Sequence, residues 1–246
     1  MKILGIIPAR YASTRFPGKP LIEIQGKSMI QRVYEQASLC ESLDRVVVAT
    51  DDDRIANEVK RFGGHVQHTS ASHQSGTDRC AEVAVNFPEY DIIINIQGDE
   101  PFINPGQIDL LVSCFSSPGV QLATLIKAIH TQEELINLNL PKVIINNRNQ
   151  AVYFSRQTIP FQRGVEQEAW LSNHAYYKHI GIYGYSRQAL LEITQLPPSS
   201  LEKAESLEQL RWIENGYTIQ TAVTTLETIA IDTPEDLEKI LPGRLN

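Results

Sequence analysis

Three cationic side chains near the start of the chain are the strongest chemical feature of the sequence. Arg10, Arg15 and Lys19 fall within ten residues, directly after a strand-like apolar run at residues 3–7, and no acidic residue lies between them. Arginine and lysine side chains in one loop suit the oxygens of phosphate groups. Open α/β sheets bind ligands beyond the carboxyl ends of their strands, where this loop is expected to lie. The loop is therefore predicted to bind a polyphosphate, with a solvated basic loop as the alternative.

This loop differs from the two common glycine-rich phosphate loops. A Walker A loop ends in Gly-Lys followed by Ser or Thr, whereas Lys19 is followed by Pro20, and the GxGxxG pattern of dinucleotide sites is absent. Pro8, Pro17 and Pro20 restrict the backbone, and Gly18 allows close approach of another group. These residues favour a stiff binding loop.

Two carboxylates that each follow an apolar run are candidate metal ligands. Asp99 lies in Gln97-Gly98-Asp99-Glu100-Pro101, after the run at residues 92–97, and Asp232 follows the run at residues 229–231. Mg²⁺ usually takes one or two carboxylates together with substrate phosphates. The pair is therefore predicted to hold Mg²⁺. The alternatives are that Asp99 caps a turn and that Asp232 assists the start of a helix.

The run Asp51-Asp52-Asp53 offers a competing metal motif, because an Asp-x-Asp sequence after a strand can bind a metal in sugar-nucleotide enzymes. A helix is expected to begin immediately after it, and acidic residues are favoured at helix starts. Helix capping is therefore favoured over metal binding.

A capping box is predicted at residues 75–78, Ser75-Gly76-Thr77-Asp78. The helix that it opens offers backbone N–H groups to an anion or a nucleobase carbonyl, and Arg79 lies one turn into it. A plain capped helix is the alternative.

The second half carries polar residues suited to an acidic, hydroxyl-rich ligand. Arg156 follows a predicted strand at residues 151–155, and His179 and Tyr183 share one face of another strand. Glu208 is expected at the edge of the apolar side of one helix over residues 200–215, where its carboxylate requires a partner. Either Arg211 or a sugar hydroxyl could supply that partner.

Short apolar runs alternate with helical patterns along the chain, which predicts an α/β fold with a largely parallel sheet and helices on both faces. A hairpin is expected across the turn at residues 146–149, a flexible loop at residues 162–172, and a last helix from Pro234.

Composition excludes several classes of protein. The 246 residues carry a net charge of −7, which argues against nucleic acid or an anionic membrane as the main partner. No apolar run approaches the length of a membrane span, and the first residues lack the layout of a signal peptide. The three cysteines lack metal or redox spacing, which predicts reduced, packed thiols in the cytoplasm. The histidines at positions 65, 68 and 73 lack further ligands for a metal site.

These motifs together resemble one family, the bacterial 3-deoxy-manno-octulosonate (Kdo) cytidylyltransferases, also called CMP-Kdo synthetases. The resemblance covers nearly the whole chain. The segments that carry it are residues 7–15, 17–20, 73–77, 97–101, 153–156, 179–185, 207–211 and 232–237. The first and fourth recur loosely in other sugar nucleotidyltransferases, whereas the segments between residues 153 and 211 are more specific.

The resemblance implies a fold, a reaction and partners. The fold is one nucleotidyltransferase domain over residues 1–246, Rossmann-like, with a mostly parallel, mixed central sheet and a lobe at about residues 130–190 for sugar binding and dimerisation. The reaction converts CTP and Kdo into CMP-Kdo and pyrophosphate, with Mg²⁺ as cofactor, for lipopolysaccharide biosynthesis. The expected enzyme is a cytoplasmic homodimer that binds neither nucleic acid nor membrane.

The resemblance also implies roles for individual residues. The catalytic set is Lys19, Asp99 and Asp232, the last two as metal ligands. The CTP-binding set is Arg10, Ser13, Arg15, Lys19, Ser75 and Arg79. The Kdo-binding set is Gln97, Arg156, His179, Tyr183, Glu208 and Gln209, with Arg156 assigned to the Kdo carboxylate.

Three alternatives remain open from the sequence. The acceptor could be another acidic sugar, such as sialic acid or an amino analogue of Kdo. The chain could be a nucleotide-binding module without activity, although both Asp99 and Asp232 are present. A glycosyltransferase of similar fold would need the Asp-x-Asp site that residues 51–53 supply poorly.

Overall fold

The computed structural model describes residues 1–12, 16–227, 229–231, 233 and 235–237. The chain forms two compact units, one of residues Met1–Asp109 with Leu226–Asn246 and one of residues Leu110–Thr225.

The first unit is built on parallel strands. Strand β1 pairs in parallel with β4 and with β6, and β4 pairs in parallel with β5, while β2 and β3 form a separate antiparallel hairpin. All four residues of β6 are buried, as expected for a strand with three consecutive isoleucines, and the fourth residue is Asn95. The strands are β1 (Ile3–Ala9), β2 (Glu23–Ile24), β3 (Lys27–Ser28), β4 (Arg45–Thr50), β5 (Val66–His68) and β6 (Ile92–Asn95).

The helices of this unit begin at side-chain caps. They are α1 (Met29–Ser38), α2 (Asp53–Arg61) and α3 (Gly76–Asn86), and α4 (Pro105–Ser113) crosses into the second unit. Ser28 caps α1 by accepting from the Gln31 N–H. The Gln31 side chain donates to Glu35, so the cap at Ser28 consists of the single bond to the Gln31 N–H.

The second unit has a mixed sheet. Strand β7 pairs in parallel with β11 and antiparallel with β10, and β8 pairs antiparallel with β9 and β10. The predicted hairpin across residues 146–149 is therefore confirmed. The strands are β7 (Leu122–Ala128), β8 (Lys142–Ile145), β9 (Ala151–Ser155), β10 (Tyr177–Ser186) and β11 (Ile219–Val223).

The single helix predicted over residues 200–215 is wrong. Ser206 has a φ of 52° and ψ of 49°, in the left-handed region, which ends one helix and lets a second begin at Gln209. The helices of the second unit are α5 (Gln132–Ile136), α6 (Trp170–Asn173), α7 (Arg187–Ile193), α8 (Ser200–Glu205) and α9 (Gln209–Glu214). Short 3₁₀ turns occupy Lys19–Leu21, Cys114–Ser116 and Gln167–Ala169.

Two smaller expectations also need correction. The loop expected to be flexible at residues 162–172 contains the start of α6, because Trp170 is buried and stacks on Tyr176. Residues 229–231 form no strand. Most of the helix expected from Pro234, including Pro234 itself, falls outside the described residues, and the sugar-binding lobe at about residues 130–190 stays a prediction within the second unit.

The fold class predicted from the sequence is confirmed as a mixed α/β fold with mostly parallel central strands. Cys40, Cys80 and Cys114 are buried, as expected for packed thiols. Within the part of the chain that the structure describes, no helix has both the length and the apolar character to cross a bilayer.

Candidate functional site

A cavity of about 380 Å³ lies at the carboxyl ends of β1 and β6 in the first unit. This is the edge at which open α/β sheets bind ligands. Its lining combines three cationic side chains with several hydrogen-bonding groups. The lining residues are Pro8, Ala9, Arg10, Lys19, Pro20, His73, Gln74, Ser75, Gly76, Arg79, Gln97, Gly98 and Asp99.

Close backbone contact joins the two sides of this cavity. A Cβ atom on Gly98 would lie 2.8 Å from the Pro8 carbonyl oxygen, a distance that no side chain tolerates. Glycine at position 98 therefore lets the segment after β6 pack directly on the end of β1. That contact sets Asp99 beside the phosphate loop predicted from the sequence.

Lys19 and Asp99 form an ion pair inside the cavity. Lys19 Nζ lies 2.7 Å from Asp99 Oδ2, and both side chains are largely shielded from solvent. Gly18, at φ 73°, makes the left-handed turn that precedes Lys19, and its N–H donates to the Tyr11 carbonyl. The Tyr11 ring occupies the space that a side chain at position 18 would need.

Three of the predicted site residues, Ser13, Arg15 and Asp232, lie outside the described residues, so their roles stay predictions. The residue before Asp232 is described. The Ile231 N–H donates to the Asp99 carbonyl at 2.9 Å, and the Ile231 side chain is fully buried against Ile24 and Met29.

Ser75 begins α3 with the predicted capping box. Its Oγ accepts from the Asp78 N–H, and the Asp78 carboxylate accepts from the Ser75 N–H. The first turn of α3, at Ser75 and Gly76, lines the cavity. The positive end of this helix therefore faces any anion that enters.

Arg79 lines the same cavity but is itself buried and paired. Its Nη1 donates to Thr69 Oγ1, and its Nη2 lies 3.1 Å from Asp51 Oδ1. Asp52 caps α2 by accepting from the Arg54 N–H. Asp52 thus caps the helix start, as the capping interpretation predicted, whereas Asp51 pairs with Arg79, which was not expected.

His73 is a cavity residue that the sequence reasoning did not assign. Its Nε2 bonds to Glu82 Oε2, and the Glu82 carboxylate also accepts from the Ser70 N–H at 2.9 Å. Hydrogen bonds from Ser70 and His73 lower the pKa of Glu82 despite its partial burial. The available signal is the position of His73 in the segment at residues 73–77, one of those that carry the family resemblance.

Glu100 is a second residue to which the sequence motifs assigned no role. Its side chain is buried, and burial beside Asp99 raises the pKa of its carboxyl to about 8. Glu100 is therefore largely protonated at neutral pH in this fold. Its place directly after Asp99 in the motif was the available signal.

In the second unit, Arg156 is held by backbone carbonyls. Its guanidinium donates to the Glu205 carbonyl at 2.7 Å and to the Leu138 and Ser206 carbonyls at 3.2 Å each. Arginine has five N–H donors, so these three bonds leave capacity for a ligand oxygen. The carbonyls of Glu205 and Ser206 end α8, which places the cation at the negative end of that helix.

His179 and Tyr183 lie together on β10, as their spacing predicted. Their ring centroids are 5.2 Å apart, and His179 Nε2 lies 3.1 Å from Thr124 Oγ1. Burial lowers the pKa of His179 to about 4, so its ring is neutral at physiological pH. Burial also raises the pKa of Tyr183 above its ordinary value, and Trp212 packs edge-on against its ring.

Glu208 and Gln209 sit at the break between α8 and α9. The position of Glu208 on one continuous helix was wrong, because the chain turns at Ser206 before Glu208 begins α9. Gln209 is buried, and its Nε2 has no hydrogen-bond partner among the described residues. The Tyr183 hydroxyl is also buried without such a partner in the described part of the chain, although Thr124 lies nearby.

The structure thus brings Arg10, Lys19, Ser75, Arg79, Gln97 and Asp99 to one cavity of the first unit. Arg156, His179, Tyr183, Glu208 and Gln209 belong to the second unit. Among the described residues, no cluster of three His, Cys, Asp or Glu side chains forms a metal site. Asp99 contributes a carboxylate to the cavity, a donor type that Mg²⁺ accepts.

The sequence matches a family model described as cytidylyltransferase over residues 4–240. Two curated proteins named 3-deoxy-manno-octulosonate cytidylyltransferase are similar to the chain along almost its full length. The one from Parabacteroides distasonis is 58% identical and covers 98% of this chain and 97% of its own length. The one from Geobacter sulfurreducens is 47% identical and covers 98% of both.

Solved structures are similar in fold. A CMP:2-keto-3-deoxy-manno-octonic acid synthetase complexed with CTP is 45% identical, with a TM-score of 0.90 over 98% of this chain and 97% of that one. A 4-diphosphocytidyl-2C-methyl-D-erythritol synthase from Anaerococcus prevotii is 11% identical, with a TM-score of 0.60 over 96% of this chain and 95% of that one. The second likeness concerns the fold alone.

The buried Glu100 carboxyl predicts a pH-dependent stability. Below about pH 4.5 the carboxyl is protonated in both the folded and the unfolded chain, so its ionisation does not lower the free energy of unfolding. Between about pH 4.5 and 8 it ionises only in the unfolded chain, so the free energy of unfolding falls as pH rises. Glu100→Gln should remove this fall and exceed the parent in stability at pH 8, by roughly 1.4 kcal/mol for each pKa unit at most.

Urea unfolding of the parent and Glu100→Gln proteins at pH 4.5, 6 and 8 measures this difference. Glu89→Gln serves as the control, because Glu89 is exposed and its change should leave the pH profile parallel to that of the parent. If the difference in free energy of unfolding between Glu100→Gln and the parent were the same at all three pH values, the raised pKa of Glu100 would be contradicted.

Proposed function

Since the chain belongs to the cytidylyltransferase family, among the 3-deoxy-manno-octulosonate cytidylyltransferases, we propose that it transfers CMP from CTP to Kdo. The products are CMP-Kdo and pyrophosphate, and the activated sugar serves lipopolysaccharide biosynthesis. The observation that carries the proposal is the cavity at the ends of β1 and β6, where cations, a helix start and Asp99 converge. The relative solved with CTP supports a nucleotide in this cavity.

Different cavity residues are proposed to bind different parts of CTP. Arg10 and Lys19 supply positive charge to the phosphate oxygens, and Arg15 of the same loop is proposed to join them. Lys19 is already oriented by Asp99, so its ammonium is fixed before substrate arrives. The first turn of α3 at Ser75 is proposed to receive the cytosine base, next to Arg79.

The reaction requires positioning and charge neutralisation more than covalent help. A Kdo hydroxyl oxygen attacks the α-phosphorus of CTP, and its proton passes to solvent. The bond between that phosphorus and the oxygen that bridges to the β-phosphate breaks, and pyrophosphate leaves. We propose Asp99 and Asp232 as the carboxylates that hold Mg²⁺, which when bound neutralises phosphate charge and lowers the pKa of the attacking hydroxyl. The hydrogen bond from Ile231 to the Asp99 carbonyl supports this pairing, because Asp232 is the next residue.

For the sugar, Arg156 is proposed to bind the Kdo carboxylate through its remaining N–H groups. The Tyr183 hydroxyl and Gln209 Nε2 are buried polar atoms without described partners, and burying such atoms is costly. A hydroxyl-rich ligand would satisfy them, which supports their assignment to Kdo. His179, Glu208 and Gln97 complete the proposed sugar set.

We also propose that the enzyme is a cytoplasmic homodimer. The assembly rests on the family resemblance and on exposed apolar side chains of the second unit. Ile136, Leu138 and Phe161 are each more than half exposed. Contiguous exposed apolar patches are typical of surfaces that another chain covers, and we propose that these three side chains belong to such a patch.

Pyrophosphate release tests the reaction. The purified protein is supplied with Mg²⁺, CTP and either Kdo, its 8-amino analogue or sialic acid. Release with Kdo at the highest kcat/KM is the expected result. Preference for another sugar would keep the chemistry and overturn the choice of substrate, and no release with any sugar would favour the nucleotide-binding module.

Asp99→Asn is expected to lower kcat by about a hundredfold or more, because it removes a charge at the reacting phosphate with little change in volume. Circular dichroism and the melting temperature should show an intact fold. Asp53→Asn is the matched control, since Asp53 lies in the competing Asp-x-Asp run and its side chain is exposed. Loss of turnover in Asp53→Asn with normal turnover in Asp99→Asn would favour a metal site at residues 51–53.

Arg156→Ala is expected to raise the KM for Kdo by about tenfold or more while leaving the KM for CTP unchanged, because a charge-assisted bond to the carboxylate is lost. Steady-state kinetics with each substrate varied in turn measures both values. Arg148→Ala, in the exposed turn between β8 and β9, is the control and should change neither. A selective loss of CTP affinity in Arg156→Ala would refute the role.

A further inference from the structure

Lys142, on β8, is a fully buried lysine that the proposed mechanism does not use. Its Nζ donates to the Asn137 carbonyl at 2.8 Å. No carboxylate oxygen of a described residue lies within 4.0 Å of this nitrogen. Lysines are almost never fully buried unless they are paired with an acid, so this position is unusual.

Burial of this ammonium is unfavourable for the fold. Removing a charge from water carries a large desolvation cost, and a nearby cation adds to it. Both effects operate here, because burial and the neighbouring Arg156 lower the pKa of Lys142. A methionine of similar shape would avoid this cost. The lysine is therefore better explained by a function than by stability.

The hydrogen bond of Lys142 connects this residue to Arg156, the candidate for binding the sugar carboxylate. Lys142 holds the carbonyl of Asn137, and the next carbonyl, that of Leu138, accepts from Arg156 Nη1 at 3.2 Å. The short segment at residues 137–138 thus links the two cations. Any movement of this segment would shift one of the three carbonyls that orient the Arg156 guanidinium.

The charges around Lys142 also indicate a link to the sugar carboxylate. Glu205 raises the pKa of Lys142, so its carboxylate acts on the same site, and that carboxylate accepts from Ser155 Oγ and from the Arg156 N–H. Among the described residues, Lys142 and Arg156 carry two positive charges beside the one negative charge of Glu205, which leaves one positive charge uncompensated. A single ligand carboxylate would neutralise it.

We propose that Lys142 is a positioning residue for the acidic sugar: it fixes the Asn137–Leu138 segment that orients Arg156 and supplies the positive charge that the sugar carboxylate balances. This inference rests on the proposed function, since it assigns Arg156 to that carboxylate. Lys142 itself does not touch the substrate, because its side chain is fully buried.

The test compares Lys142→Met with the parent enzyme in steady-state kinetics, with Kdo and CTP varied in turn. The KM for Kdo should rise about tenfold, and the KM for CTP should stay unchanged. The melting temperature should be unchanged or higher, because the buried charge is gone. Lys142→Gln keeps a hydrogen-bond donor without the charge and carries the same test if the methionine variant fails to fold.

Lys178→Met is the matched control. Lys178 lies opposite Lys142 on β10, and its Nζ pairs with Glu134 at 2.5 Å. Its loss should lower the melting temperature, since Glu134 is left without that cation, while the KM for Kdo stays unchanged. A lysine with a purely structural role would behave like this control.

Four results would overturn the inference. In Lys142→Met, the KM for Kdo could stay unchanged, or the KM could rise equally for both substrates. Lys178→Met could show the same rise in the KM for Kdo, or Lys142→Gln, which lacks the charge, could have the KM of the parent. The failure of the proposed function looks different. If Arg156→Ala also leaves the KM for Kdo unchanged, the assignment of Arg156 is wrong. If Arg156→Ala weakens Kdo binding and the Lys142 variants do not, only the role of Lys142 fails.

Discussion

The parallel pairing of β1 with β6 is the constraint on which the candidate site depends. It brings two chain segments that are about ninety residues apart in sequence to one edge, where Gly98 packs against the Pro8 carbonyl. No side chain fits at position 98, so the two segments meet at backbone distance. The ion pair between Lys19 and Asp99 follows from that approach, because each residue belongs to one of the two joined segments. Without this register, the basic loop and the carboxylate would be unrelated surface groups.

Buried charge organises both units, but in different ways. In the first unit, Arg79 is neutralised by Asp51 and held by Thr69, which fixes α3 relative to β4 and so shapes the cavity wall. In the second unit, Arg156 is held by neutral carbonyls, and no carboxylate of a described residue forms an ion pair with its guanidinium. Arg156 therefore keeps N–H donors and positive charge for an anion, whereas the Arg79 guanidinium is buried in its ion pair with Asp51. This difference separates a framework arginine from a ligand-binding one within the same chain.

Apolar runs predicted β1 and β6 well, because both strands are short and consist mainly of apolar residues. The helix caps at Ser75 and Asp52 were likewise local features that a few adjacent residues determine. The helix expected over residues 200–215 failed for a reason that local sequence hides. Ser206 adopts a left-handed conformation, which costs energy for a residue with a side chain. The Ser206 carbonyl accepts from Arg156, a residue fifty positions away, and this tertiary bond supports the break.

The sequence by itself determined the residue types at the site and their order: the cations of the first loop, the carboxylate after the apolar run of β6, and the polar residues of the second half. Those features reside in side-chain chemistry and in spacing over a few residues, which the sequence displays directly. Only the tertiary structure decided which of these groups are engaged and how. The pairing of Arg79 with Asp51, the bond between His73 and Glu82, the protonated Glu100 and the buried Lys142 all depend on burial and on contacts between distant segments. Desolvation and long-range pairing are properties of the packed chain, so no local pattern of residues reveals them.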